Sequence, residues 1–166
     1  METGLVLSLR NLEPALRRWR GRDPAAKQGM PPHVTLIYPF MDSRGVDEAV
    51  RERVRRALAG FAALDIVFDR LGTFPGGLWL EPVDPAPVLA LIAALEAAFP
   101  AYPPFGGAFE TVIPHLTIAQ AAPAQLSRIA REAPAILPLA ARAEAVTLFA
   151  RSEEGWIPVE RFELGG

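Results

Sequence analysis

The stretch Pro31-Pro32-His33-Val34-Thr35-Leu36 is matched by a second, Ile113-Pro114-His115-Leu116-Thr117-Ile118, and the two stretches hold both histidines of the chain. In each, a proline precedes the histidine, a threonine follows it at the second position, and polar and apolar residues alternate. This alternation is the period of a half-buried β-strand. Successive side chains of a strand point to opposite faces, so each histidine is expected to share a face with its threonine, above a core formed by the apolar residues.

The segments that follow the two motifs come in the same order, which indicates a duplicated unit. Each half is expected to run from a histidine strand through a helix to a long strand, a turn and a returning strand. The segments expected in the first half are 34–38, 46–59, 64–73 and 78–81, and those in the second half are 116–119, 124–132, 141–151 and 156–162. A first strand at 4–9 and helices at 13–20 and 88–99 complete the pattern. We therefore expect an α+β fold with antiparallel sheets facing a central groove and helices on the outside.

Composition excludes several classes of protein. The chain has no cysteine, which rules out disulfides and thiolate metal sites. The sequence has no His-Glu-x-x-His pair either, and no apolar stretch of membrane-spanning length, so we expect a cytoplasmic protein without a membrane contact. A net charge of −2 argues against a broad grip on long nucleic acid, but it allows a small phosphorylated substrate or an RNA end.

Two groups of arginines fall in expected helices, and we interpret them as solvated helix faces in preference to a phosphate track. The first group is Arg17, Arg18, Arg20 and Arg22, and the second is Arg51, Arg53, Arg55 and Arg56.

Two histidines on opposite sides of a phosphodiester supply both proton transfers of an in-line displacement, because imidazole gives or takes a proton near neutral pH. Threonine hydroxyls beside them can donate to the non-bridging phosphate oxygens. A lone strand histidine is more often a packed residue, but two in matching motifs favour the catalytic interpretation. For Thr35 and Thr117, ordinary strand propensity and phosphate binding carry equal weight when each residue is taken alone.

With these motifs, and with Tyr102-Pro103-Pro104-Phe105-Gly106-Gly107 ahead of the second one, the chain resembles the two-histidine (2H) phosphoesterase superfamily and within it the bacterial 2′-5′ RNA ligase family. The resemblance implies a single domain over residues 1–166, made of two pseudo-symmetric lobes that carry one motif each. It also implies metal-independent opening of cyclic phosphates such as RNA 2′,3′-cyclic ends, with reversible 2′-5′ ligation in some members. Carried over by position, His33 and His115 are the acid-base pair, and Thr35 and Thr117 bind phosphate. No cofactor and no obligate protein partner are implied.

Family members often carry a basic residue soon after the second motif, and Gln120 occupies that position here. Arg151 and Arg161 are the candidates to replace its charge. Bases of the substrate need aromatic surfaces to stack on. The candidates for this stacking lie near the motifs in sequence and are Tyr38, Phe40, Tyr102 and Phe105, whereas Trp79 and Trp156 are expected in the core.

The function expected from the sequence is a phosphodiesterase acting on 2′,3′-cyclic phosphates of RNA ends or nucleotides. By the resemblance, His115 is the base that activates water and His33 the acid that protonates the leaving ribose oxygen. One alternative is a phosphoesterase for another small substrate, such as a cyclic ADP-ribose phosphate or a 2′-5′ oligonucleotide. A second is a module that binds RNA ends without turnover. A purely structural domain leaves the paired histidines unexplained.

Overall fold

A computed structural model describes residues 1–21 and 23–165. The strands are β1 (Thr3–Ser8), β2 (His33–Ile37), β3 (Leu64–Phe74), β4 (Gly77–Pro82), β5 (Leu116–Gln120), β6 (Leu139–Ala143), β7 (Ala145–Ser152) and β8 (Gly155–Glu163). The helices are α1 (Glu13–Arg20), α2 (Pro24–Lys27), α3 (Glu48–Leu58), α4 (Ala86–Ala98) and α5 (Pro123–Glu132). The short helix α2 is not among the helices expected from the sequence.

The strands form two four-stranded sheets, in the orders β2-β1-β7-β8 and β5-β4-β3-β6, which we name sheet A and sheet B. All pairings are antiparallel. Each motif strand is an edge strand, β2 in sheet A and β5 in sheet B, and these two edges contact each other. The α+β fold class predicted from the sequence is confirmed.

The helices tie the two sheets together reciprocally. Helix α1, which precedes the motif strand of sheet A, packs against β5 of sheet B, and α4, which precedes the motif strand of sheet B, packs against β2. Helix α4 is apolar on most sides because it also packs on α3. Helix α3 begins where the Asp47 carboxylate accepts a hydrogen bond of 2.9 Å from the Val50 N–H, and it buries Val54 and Leu58.

The single long strand expected at 141–151 is wrong. The chain forms two strands there, β6 and β7, which belong to different sheets and are separated at Glu144. Strand β6 is an edge strand with alternating burial, whereas β7 lies inside sheet A and is buried from Ala145 to Ala150. The change from alternating to continuous burial coincides with the point where the chain leaves one sheet and enters the other.

One hydrophobic core spans both sheets and lies behind the motif strands. Val34 and Leu36 of β2 and Leu116 and Ile118 of β5 are each 0% exposed and belong to this core. His33, Thr35 and Thr117 alternate with these residues and are only half-buried, as the strand period requires. The described helices include none long and apolar enough to cross a membrane.

Replacing Leu36 by alanine is expected to lower the free energy of unfolding by about 2–5 kcal/mol, because it empties a fully buried site under the first motif. Urea unfolding measures this change. Val67→Ala is the matched control, because Val67 is a strand residue that is 41% exposed, and it should cost below about 1 kcal/mol. Equal costs for the two variants would contradict the placement of β2 over the core.

Candidate active site

Both imidazoles are held in the same way. His33 Nδ1 lies 2.9 Å from the carbonyl oxygen of Pro31, and His115 Nδ1 lies 2.8 Å from that of Ile113. In each case the accepting residue is two positions earlier and a proline stands between. Proline has a restricted φ and no N–H, so it directs the preceding carbonyl without competing for it. This explains the proline that precedes the histidine in each motif.

The hydrogen bond to the carbonyl decides which nitrogen of each ring can do chemistry. A carbonyl oxygen only accepts, so Nδ1 must carry a hydrogen in both rings. In the neutral imidazole, Nε2 is then the free acceptor, and in the imidazolium it is the nitrogen that can give up its proton. Each ring is therefore prepared to exchange a proton through Nε2.

The two rings lie near each other but in different surroundings. Burial lowers the pKa of His33 to about 4, helped by the positive charge of Arg20 and by His115, while the hydrogen bond to Pro31 opposes the change. Burial also lowers the pKa of His115, with opposition from its bond to Ile113 and from the negative charge of Glu81. The neutral form of His33 is thus strongly favoured in the free protein.

Aromatic rings enclose His115. The indole of Trp79 lies on one side, with ring centroids 4.5 Å apart and planes inclined at 36°. The Phe105 ring is nearly parallel to the imidazole at 6.0 Å. Trp79 comes from β4, where it pairs in register with Thr117, so it shares the motif face of sheet B. Its Nε1 donates to Glu81 Oε1 at 3.2 Å, which holds the indole and that carboxylate together.

Two backbone features make room for this enclosure. A Cβ at Gly72 would overlap the Trp79 indole nitrogen, so the indole lies flat over the glycine on the neighbouring strand β3. Phe105 has a positive φ of 52°, a left-handed conformation that is costly for a bulky residue. The turn at 104–107 also contacts β2, so it reaches from His115 to the opposite motif strand.

A cavity of about 400 Å³ opens beside His115. Its lining is almost entirely apolar apart from His115 and Thr111, and its aromatic side chains are Phe74, Trp79, Phe105 and Phe109. Phe109 is 63% exposed and meets Phe105 edge to face at 5.7 Å. A flat aromatic group fits such a slot, because aromatic walls offer stacking and edge contacts.

The structure places the four stacking candidates in different surroundings. Phe105 lies against His115, as just described. Phe40 is 6% exposed in the core, where its ring is 5.2 Å from that of Tyr102, so neither is placed as an open stacking surface. Tyr38 donates a hydrogen bond to Glu2 and meets Trp156 edge to face.

Trp79 is the site residue that sequence reasoning placed wrongly in the core. It is half-buried and lines the cavity beside His115. One signal was present in the sequence: the residues around Trp79 alternate as in a half-buried strand, which places the tryptophan on one face of that strand. The pairing of that face with the second motif required the sheet order.

The charged candidates do not converge on the site. Arg151 lies 3.8 Å from Glu2, and Arg161 pairs with Glu163 and Glu144. Gln120 is exposed at the end of β5, opposite Gly77. On α3, Arg51, Arg55 and Arg56 pair with glutamates, and Arg53 stacks over Phe99. Arg17 and Arg18 of α1 are exposed, Arg20 is buried, and Arg22 lies outside the described residues.

Among the side chains that the structure describes, no group of three or more His, Asp or Glu residues is arranged to hold a metal ion.

Comparison with known proteins gives one family and several solved structures. The family model described as the 2′-5′ RNA ligase superfamily matches residues 9–155. E. coli LigT complexed with 3′-AMP is 20% identical with a TM-score of 0.61, over 99% of this chain and 98% of that one. TT0787 of Thermus thermophilus is 18% identical with a TM-score of 0.66, over 100% and 99%. A phosphoesterase is 18% identical with a TM-score of 0.63, over 99% of each chain. No curated protein matches.

Gly72→Ala is expected to push the Trp79 indole off the sheet and to cost about 1–3 kcal/mol of unfolding free energy, because the added Cβ overlaps the ring. Urea unfolding measures the cost. Gly60→Ala serves as the control, because a Cβ there meets no atom within 4 Å. If both variants unfold at the same urea concentration, the close packing of Trp79 on Gly72 is refuted.

Proposed function

The chain belongs to the 2′-5′ RNA ligase superfamily, and from this premise we propose that it is a metal-independent phosphodiesterase. It opens 2′,3′-cyclic phosphates of RNA ends or nucleotides by general acid-base catalysis from His33 and His115. The observation that carries the proposal is the pair of imidazoles, each with Nδ1 on a carbonyl oxygen, at the start of β2 and immediately before β5, two edge strands that contact each other. The two sheets, each with one motif strand at its edge, act as two pseudo-symmetric lobes of one domain.

The reaction needs two proton transfers, which the two Nε2 atoms supply. One neutral imidazole takes a proton from water as the water oxygen bonds to phosphorus. The bond from phosphorus to one ribose oxygen breaks, and the other imidazolium protonates that oxygen. The hydroxyls of Thr35 and Thr117 donate to the non-bridging oxygens, where negative charge builds in the transition state. With the 5′-hydroxyl of a second RNA strand as the nucleophile in place of water, the same forward steps form a 2′-5′ linkage, and the reverse steps cleave it with the roles of acid and base exchanged.

The surroundings of the two rings favour His33 as the base and His115 as the acid, which is the reverse of the order expected from the resemblance. Burial and the charge of Arg20 favour neutral His33, the form that accepts a proton. Glu81 favours protonated His115, the form that donates one. A phosphate bound between them adds a negative charge that raises the pKa of both, which supports the protonated form that His115 needs as the acid.

The apolar slot beside His115 suits the base of a small nucleotide. Its volume of about 400 Å³ lies in the usual range for small-molecule sites, and its walls are aromatic. LigT, which shares this fold, has been crystallised with 3′-AMP. The arginines of α3 are engaged by glutamates or by Phe99, so they offer little free charge to a long RNA backbone. These features favour mononucleotides and short RNA ends over long RNA.

His33→Gln and His115→Gln are each expected to lower the hydrolysis of 2′,3′-cyclic AMP by about 10²–10⁴-fold, because each removes one proton transfer. The assay contains EDTA and follows the product by chromatography. Val67→Ala is the folded control and should retain wild-type turnover. Turnover that survives in either histidine variant would contradict the paired mechanism.

The same assay separates the alternatives. No turnover by the wild type on cyclic mononucleotides or on oligonucleotides ending in a cyclic phosphate, with tight binding of either, would favour the binding module. Turnover confined to 2′-5′ linkages or to ADP-ribose derivatives would move the substrate to those compounds.

The pH dependence of kcat/KM is expected to be bell-shaped with its maximum between about pH 4 and 6.5. The rate rises as pH increases through the pKa of His33, about 4, because His33 must be neutral. It falls as pH increases through the pKa of His115, which burial holds below its usual 6.5, because His115 must be protonated. Initial rates from pH 3.5 to 8.5 test this, and a maximum above pH 7.5 would contradict it.

A further inference from the structure

A buried arginine stands behind the first motif. Arg20, the last residue of α1, is 2% exposed. Its Nη1 donates to Glu13 Oε2 at 2.6 Å and its Nη2 to the Met30 carbonyl oxygen at 2.7 Å. Its buried Nε has no partner in the described part of the chain. Burying a charged guanidinium costs free energy, and here one of its nitrogens also lacks a partner. The burial of Arg20 therefore needs an explanation.

Arg20 holds the backbone that carries His33. Pro31 and Pro32 have no N–H, so hydrogen bonds hold these two residues through their carbonyl oxygens, while the Met30 N–H donates to the Ala25 carbonyl oxygen at 3.0 Å. Three consecutive carbonyls are engaged: that of Met30 by Arg20, that of Pro31 by His33 Nδ1 at 2.9 Å, and that of Pro32 by the Leu9 N–H at 2.7 Å. Removing the guanidinium releases the first of these three attachments, one residue before the oxygen that orients the imidazole.

Arg20 also carries a permanent positive charge that acts on His33. The charged or titratable groups near this site are Arg20 and Glu13 of α1, Asp23 at the cap of α2, Arg10 after β1, and His115 across the groove. Of these, Arg20 and His115 act on the imidazole of His33, and both disfavour its protonation. Because His115 can lose its proton and Arg20 cannot, only Arg20 supplies this effect at every working pH.

The second motif has a different arrangement. His115 has the same carbonyl bond but is enclosed by Trp79 and Phe105, and the charge that acts on it is the carboxylate of Glu81. The two lobes thus repeat the geometry of the imidazole and differ in the sign of the charge beside it.

We propose that Arg20 is a positioning residue of the first motif, which holds the Met30–Pro32 segment beneath His33 and places a permanent positive charge beside that imidazole. This inference rests on the proposed function for its catalytic meaning. Under this proposal His33 is the ring that begins each reaction cycle unprotonated, and α1 helps to position it.

The test uses the histidines themselves as probes. Since the chain has two histidines, labelling them with ¹⁵N and ¹³C gives two ring spin systems, and His33→Gln assigns them. The titration of both rings is followed by NMR in wild type, Arg20→Gln and Arg20→Lys. The matched control is Arg17→Gln, which removes the same charge from an exposed position on the same helix. Hydrolysis of 2′,3′-cyclic AMP is measured for every variant.

In Arg20→Gln the pKa of His33 is expected to rise by roughly 0.5 to 1 unit, and that of His115 to change much less. Turnover should fall on the order of 10 to 100-fold, because the segment that orients the ring is loosened. Arg20→Lys keeps the charge and should restore most of the pKa and part of the turnover. Arg17→Gln should match the wild type in both.

An unchanged His33 titration in Arg20→Gln, or an equal shift in Arg17→Gln, would overturn the proposal, even where turnover falls. If Arg20→Gln does not fold, Arg20→Lys and Glu13→Gln decide. With the Glu13 carboxylate gone, the charge of Arg20 is no longer offset, so the pKa of His33 should fall further; no fall overturns the proposal. The titrations need no substrate, so they remain decisive if the wild type fails to hydrolyse cyclic phosphates and the proposed function is itself wrong.

Discussion

The chemistry of this site depends on one hydrogen bond made twice, from a histidine Nδ1 to the carbonyl oxygen two residues earlier. The bond selects the tautomer, limits rotation of the ring and leaves Nε2 as the nitrogen that exchanges a proton. The intervening proline directs the carbonyl without offering a competing donor. His33 begins the edge strand β2 and His115 immediately precedes the edge strand β5, and both strands are anchored in the core through residues such as Leu36 and Leu116, so packing and this bond determine the position of each ring.

The two motifs hold their imidazoles with the same geometry and differ in the charge that acts on each ring. The paired edges β2 and β5, with α1 and α4 packed reciprocally across them, bring two equivalent imidazoles together. Two identical environments would give both rings the same protonation state, whereas the proposed mechanism needs one acid and one base. Arg20 beside His33 and Glu81 beside His115 remove that equality. Among the described residues the aromatic slot lies on the His115 side, and under the proposed function this asymmetry distinguishes one end of a substrate from the other.

Most of the fold and the centre of the site followed from local patterns. The alternation in both motifs and the repeat of elements were sufficient for the α+β class and for the strands that carry His33 and His115. The division of 141–151 between two sheets was missed because propensity does not mark a change of sheet. Trp79 was missed for a related reason: its contact with His115 depends on the order of β4 and β5. Phe40 and Tyr102 are close to the motifs in sequence, yet tertiary packing places Phe40 in the core and Tyr102 against it.

The most direct test of the paired site is a crystal structure of the protein with a nucleoside 3′-monophosphate such as 3′-AMP. We expect the phosphate to lie between His33 and His115, within hydrogen-bond distance of Nε2 of each ring, with its oxygens on the hydroxyls of Thr35 and Thr117 and the base in the slot formed by Trp79 and Phe105. A phosphate bound elsewhere, or an imidazole that turns Nε2 away from it, would contradict the central claim.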